Sequence, residues 1–402
     1  MVATLIAPAV LLADWPQFLG PTRDGVVPGA SPSPWPDSGP ASAWKVDVGR
    51  GFSGPVVAGG KVLLHHRRGG EEILEAFDVV SGKSSWRSAQ PTAYEDDFGF
   101  DDGPRGTPCV AHGNVHAFGA EGRLSCVSLA DGSMRWSRAL GRELAADKGF
   151  FGFACSPLVV SNLVVVQVGG RDGAGVVAVD ASTGKTAWTA TSDEAGYASP
   201  VTASIEGKLR IVILNRAGVR VLDPADGRVV ASVPFRSRQH ASVNAATPLA
   251  SAEGVLVTAS YDTGAAWLRW ADGGGLADGW RQADALSAHI STPVRKGGLV
   301  FGFHGRQEQG SELRCIRLSD GSVAWSSPRI GVGSVLLQGD RLLVLVESGE
   351  LLLADATGPG WKVLARAQVL GSGVRAAPAV DQSALYARDK ARLVALRLDT
   401  PK

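Results

Sequence analysis

A short motif returns along this chain at nearly even steps: a small residue, then proline, then an apolar run. It stands at Gly54-Pro55-Val56, Thr107-Pro108-Cys109, Ser156-Pro157-Leu158, Ser199-Pro200-Val201, Thr247-Pro248-Leu249, Thr292-Pro293-Val294 and Ala377-Pro378-Ala379. Successive prolines lie 53, 49, 43, 48, 45 and 85 residues apart, the last step being two units. The absent member falls at Ser334-Val335-Leu336, where the apolar pattern persists without proline. Eight units of about 40–50 residues therefore fill the chain, and a period of that size marks a repeat architecture.

Each unit repeats one internal order. After the proline comes a short strand, a tight turn such as His112-Gly113-Asn114 or Gln338-Gly339-Asp340, and a second strand such as Leu342 to Val346. A variable loop, a third strand, an Asp/Gly-rich turn and a fourth strand often ending in tryptophan follow, as in AFDVVSGKSSW (76–86) and AVDASTGKTAW (178–188). Glycine supplies the positive φ these hairpins require, and Asp and Ser bond the local backbone. Helical periodicity is nearly absent, apart from a short turn expected near Glu143 to Lys148. Four antiparallel strands repeated eight times predict an all-β fold, an eight-bladed β-propeller. The last unit stops after its third strand, Leu393 to Leu398, whereas Ala43 to Val48 reads as a fourth strand lacking its first three. Pairing the two completes the last blade and removes an exposed edge.

The expected organisation is an apolar leader over 1–13, an extended lead-in over 14–42 and one propeller domain over 43–402. The leader VATLIAPAVLLA resembles the apolar part of a secretory signal, although no basic residue precedes it. Export to the periplasm or cell envelope is expected on that ground, the cytoplasm being the alternative. The run is too short for the ~20 residues of a membrane span. Forty basic against 39 acidic residues leave no basic footprint for nucleic acid. Cys109, Cys126, Cys155 and Cys315 share no CxxC spacing and lie in apolar strands, where buried thiols are expected.

The segment Ala178 to Trp188 resembles the tryptophan-docking repeat of the PQQ-like propellers, a family spanning quinoprotein dehydrogenases and BamB-like exported proteins. The opening DWPQFLGPTRDG (14–25), the insert FGFDDGPRGTPCV (98–110) and Phe118-Gly119-Ala120-Glu121-Gly122 extend the likeness over nearly the whole chain. The resemblance implies that each recurring tryptophan packs onto the neighbouring blade. It implies fold rather than activity, because enzymes and scaffolds share the repeat. A dehydrogenase of the family implies PQQ, calcium, a catalytic aspartate and often an adjacent cysteine pair. This sequence has no Cys-Cys pair, no long insertions and no CxxCH. The expected protein is a non-catalytic scaffold without a cofactor, a monomer taking a protein partner or a small polar or anionic ligand. A PQQ- and calcium-dependent alcohol dehydrogenase and a carbohydrate-binding propeller are the alternatives.

Few motifs point to chemistry. The acidic insert with Asp96, Asp97, Asp101 and Asp102 offers oxygens to calcium but lacks EF-hand spacing, so a solvated loop is expected. His112 and His116 are separated by a hairpin turn, which removes the metal-binding sense of their spacing. His65-His66-Arg67-Arg68 reads as a solvated basic loop, and Gly169 to Gly175 as a turn between strands. In a propeller, the loops before the first strand and those between the second and third strands share one face. That places Arg105, Tyr197, Asn244, His289 and Arg375 at the channel mouth, with Asn215, Arg216, Tyr261, Asp262, His304, Arg306 and Arg388 around the rim. Arginine beside aromatic residues suits an anionic ligand or an extended peptide.

Overall fold

The structure is a computed structural model that describes residues 14–381 and 384–398, so the apolar leader lies outside the described residues. Its strands form eight antiparallel sheets arranged as the blades of a propeller. Blade 1 comprises Val56–Ala58, Lys61–Arg68, Glu71–Asp78 and Ser84–Pro91. Blades 2 to 7 repeat that order, beginning at Cys109, Leu158, Val201, Leu249, Val294 and Gly333. The helical turn expected near Glu143 to Lys148 lies earlier, a single turn over Leu140–Glu143.

Blade 8 closes the ring as the sequence predicts. Ala379–Val380, Ala384–Arg388 and Arg392–Arg397 come from one end of the chain. The outer strand, Ser42–Asp47, comes from the other and pairs antiparallel with Arg392–Arg397, Trp44 facing Ala395.

Two sets of contacts join adjacent blades. On the outside, the indole Nε1–H of Trp44, Trp86, Trp136, Trp188 and Trp280 donates at 2.8–3.0 Å to the carbonyls of Val79, Leu129, Ala181, Pro224 and Leu318 on the next blade. Each ring lies over the glycine of that blade's outer turn. At Gly132, whose φ is +72°, a Cβ would stand 2.4 Å from the Trp86 ring. On the inside, the small residues before six of the seven repeat prolines form a relay. The backbone N–H groups of Gly54, Thr107, Ser156, Ser199 and Thr247 donate at 2.9–3.0 Å to the hydroxyls of Thr107, Ser156, Ser199, Thr247 and Thr292, each on the next blade. The motif that sets the period is therefore an interblade latch.

The lead-in is not merely extended: it crosses one end of the channel. Trp15 bridges Val57 of blade 1, the Pro16 carbonyl accepts from Val110 of blade 2, and Arg23 bonds the Ser156 and Pro157 carbonyls beside blade 3. Val26–Val27 then pairs parallel with Gly333–Gln338, adding a fifth strand to blade 7. Trp15, Leu19 and Val27 are buried, so this segment plugs the channel with apolar side chains.

The segment 65–68 departs from the sequence reading. His65 and His66 are buried at the end of the second strand of blade 1, not solvated in a loop. His65 lies 3.6 Å from Glu72 and His66 lies 3.1 Å from Glu75. Cross-strand pairing brings the acidic third strand against them, and these partners make burial of the imidazoles tolerable. All four cysteines are free and buried.

Candidate functional site

Opposite the plug, the channel opens into a cavity of about 440 Å³. Phe18 and Leu19 of the plug contribute to its lining, so an occupant enters and leaves by the mouth. The five latch hydroxyl residues contribute to the wall. Around the mouth stand Phe52, Phe98, Phe100, Phe150 and Phe151, with Arg105, Arg306 and Arg375 among them.

Six of the sequence-predicted residues come together there: Arg105, Tyr197, Tyr261, His289, Arg306 and Arg375. Arg105 lies over Phe52 and Tyr94, with Asp96 at 3.5 Å. Arg375 lies over Phe52 and Phe100 and pairs with Glu347 at 2.9 Å. Arg306 stacks on Tyr261, 4.6 Å from its ring centre, with Glu308 at 3.4 Å. Their planar charges are thus presented on aromatic faces and largely matched by carboxylates.

The Tyr261 hydroxyl and His289 Nε2 share a hydrogen bond of 2.9 Å. Burial lowers the His289 pKa to about 4; Glu308 opposes the shift, whereas Arg306 and Arg375 add to it. The imidazole is therefore neutral at pH 7. Tyr261 and Asp262 hold φ of 61° and 60° in their turn, a conformation non-glycine residues seldom adopt. Stacking and the His289 bond hold the tyrosine in place. The Tyr197 hydroxyl accepts from the backbone N–H groups of Phe150 and Phe151 at 2.8 and 3.2 Å, anchoring the aromatic loop.

The remaining predicted residues have internal partners and do not line the cavity. Asn215 is buried and binds Asp193, while Asn244 bonds the Asn215 and Phe235 carbonyls. Arg216 pairs with Glu194 beside the Phe150 ring. Asp262 accepts from Gln239, and His304 accepts the Ser287 N–H. Arg388 is a correction to the rim assignment: it is buried against the carbonyls of Asp389 and Gly49. Loop position in the sequence could not separate side chains that brace a loop from those that face the channel. The latch hydroxyls were missed as site residues; their recurrence before proline was the available signal.

The acidic insert departs from the solvated loop expected: Asp96 and Asp101 are buried and internally bonded. Asp96 accepts from the N–H groups of Phe100 and Asp101, Asp101 from that of Gly103, and Asp102 from that of Asp96. Asp97 pairs with Lys148, and Asp102 also pairs with Arg50. The cavity residues do not fit a calcium-bound quinone. Calcium takes about six to eight oxygen ligands. Glu308 is the one carboxylate among the described lining residues, and it faces Arg306. Among the described residues no three His, Cys, Asp or Glu side chains are grouped to hold a metal. His116 is packed against Trp136, whereas His112 bonds the Ser161 carbonyl.

Fold and cavity together define a closed eight-bladed propeller with a plugged channel and one arginine- and aromatic-lined mouth. The chain belongs to the family described as outer membrane protein assembly factor BamB, which matches residues 70–327. It is 27% identical over 214 residues to the outer membrane protein assembly factor BamB of Moranella endobia (strain PCIT), covering 52% of this chain and 48% of that protein. The chain thus spans about half the length of that curated relative. The crystal structure of BamB from Moraxella catarrhalis superposes with a TM-score of 0.63 at 15% identity, covering 90% of this chain and 99% of that one. The quinohemoprotein alcohol dehydrogenase of Comamonas testosteroni superposes with a TM-score of 0.56 at 14% identity, covering 97% and 81%. At such identities these two structures show the fold alone. No helix among the described residues is long and apolar enough to cross a membrane.

Proposed function

We propose that this protein is a non-catalytic scaffold of the cell envelope that engages a protein partner or a small polar ligand at the cavity mouth. One observation carries the reading: a latched ring presents a dead-end cavity whose rim combines exposed phenylalanines with stacked arginines. Aromatic residues, phenylalanine among them, and arginine are enriched at protein–protein interfaces. The relative's name, an outer membrane protein assembly factor, supports envelope localisation and a protein partner. The carboxylate-poor lining argues against the dehydrogenase alternative.

The test is site-specific photocrosslinking in the native host. A photoreactive residue at exposed Phe98 should yield discrete adducts, and one at exposed Val80, on an outer turn, should not. Arg375→Glu should reduce the Phe98 adducts. Equal labelling at both positions would refute engagement through the mouth.

A further inference from the structure

The latch hydroxyls have a second consequence. Thr107, Ser156, Ser199, Thr247 and Thr292 each accept one backbone N–H, yet none of their O–H groups donates to an acceptor among the described residues. All five are at least nine-tenths buried, and all line the cavity. A hydroxyl carries one proton and two lone pairs, so the relay leaves a row of buried donors around the inner wall. The half-buried Tyr197 hydroxyl accepts two backbone N–H groups and likewise donates to no acceptor among the described residues.

Charge beneath the wall points the same way. Arg23 of the plug is buried, and its guanidinium partners are the Gln17 side-chain oxygen and the carbonyls of Ser156 and Pro157, none of them a carboxylate. Its Nε has no partner among the described residues. Burial lowers its pKa to about 10, which leaves it charged at neutral pH. The mouth arginines face Asp96, Glu347 and Glu308, whereas Arg23, bonded to the backbone of the hydroxyl-bearing Ser156, has no carboxylate partner; it lies behind the wall and does not itself line the cavity. Buried charge without a counter-charge favours an anion nearby. The upper wall is aromatic and favours an apolar body over a bare ion.

We propose that the cavity takes a small organic acid, its carboxylate against the hydroxyl row above Arg23 and its apolar body against the phenylalanine wall. This rests on the ligand-binding form of the reading above and names the chemical class of the ligand. The plug confines such a ligand to end-on insertion, carboxylate first.

Calorimetry on the full chain with 3-phenylpropionate, its neutral amide and inorganic phosphate tests the site. The acid should bind at least about tenfold more tightly than the amide, as expected for hydrogen bonds to a charged group. It should also bind more tightly than phosphate. Thr247→Val and Arg23→Gln should each weaken the acid about fivefold or more, with little change for the amide. The acid–amide ratio of the unaltered protein decides the matter if either variant fails to fold. Equal binding of acid and amide, tighter binding of phosphate, or no binding of the acid would overturn the site. Failure of the acid while Phe98 adducts still form removes this site alone and leaves the scaffold standing. Acid binding without adducts supports the site and removes the protein partner.

Discussion

Trp44 stands opposite Ala395 in one antiparallel ladder, and its indole donates to the Val79 carbonyl of blade 1. One residue thus closes blade 8 and docks that blade onto its neighbour. Trp44→Ala should destabilise the protein by about 3–5 kcal/mol, the range for a large buried aromatic. Deleting residues 1–50 should lower the melting temperature further and promote aggregation, because it strips the closing strand and the plug together. Chemical denaturation and light scattering check both, and a truncation that melts like the full chain would contradict closure.

The glycines beneath the docked tryptophans differ from other turn glycines. Gly60 and Gly132 have nearly the same φ, +73° and +72°, but a Cβ at Gly60 meets nothing within 4 Å. Gly60→Ala should lower stability by about 1–2 kcal/mol through backbone strain alone. Gly132→Ala adds a clash with the Trp86 ring and should lower it by clearly more. Equal losses in urea titrations would show that the ring moves aside without penalty.

Stability should depend on pH through buried histidines. Burial holds the His116 pKa at about 4, with His112 adding to the shift. The unfolded chain then binds a proton near pH 6.5 that the folded chain refuses, so this contribution is lost as pH falls from 6.5 towards 4. Its full extent is about 3 kcal/mol. Glu72 works in the opposite sense. Burial raises its pKa to about 7, so folding takes up a proton and gains stability as pH falls from 7 towards 4.5. Comparison with His116→Gln isolates the histidine: the stability of the unaltered protein relative to the variant should drop between pH 7 and pH 4.5. A constant difference would remove the effect.

Tyr197→Phe should loosen the aromatic loop without emptying the cavity. It leaves the N–H groups of Phe150 and Phe151 without their shared acceptor, a loss of about 1–3 kcal/mol. Hydrogen exchange at these two amides should accelerate while blade amides stay protected. Unchanged protection at both positions would show that water replaces the hydroxyl.

Much of the fold was legible because local chemistry repeats. The proline period, the Asp/Gly turns and the outer tryptophans announce four-stranded units, and the orphan strand at Trp44 announces closure, since each signal depends on neighbours in sequence. The site was legible only in part. Tyr197, Tyr261, His289 and Arg306 face the cavity, whereas Asn215, Asn244 and Arg388 occupy similar loop positions and turn to internal partners. Likewise, His65 and His66 read as a basic loop until the third strand laid Glu72 and Glu75 against them. Sequence alone determined the number of blades and the direction of closure, because backbone pairing and turn geometry are local and recur. Only the tertiary structure decided that the lead-in plugs the channel, that Arg23 is buried there without a carboxylate partner, and which side chains share the cavity. Those facts depend on packing between residues far apart in the chain, and no period records them.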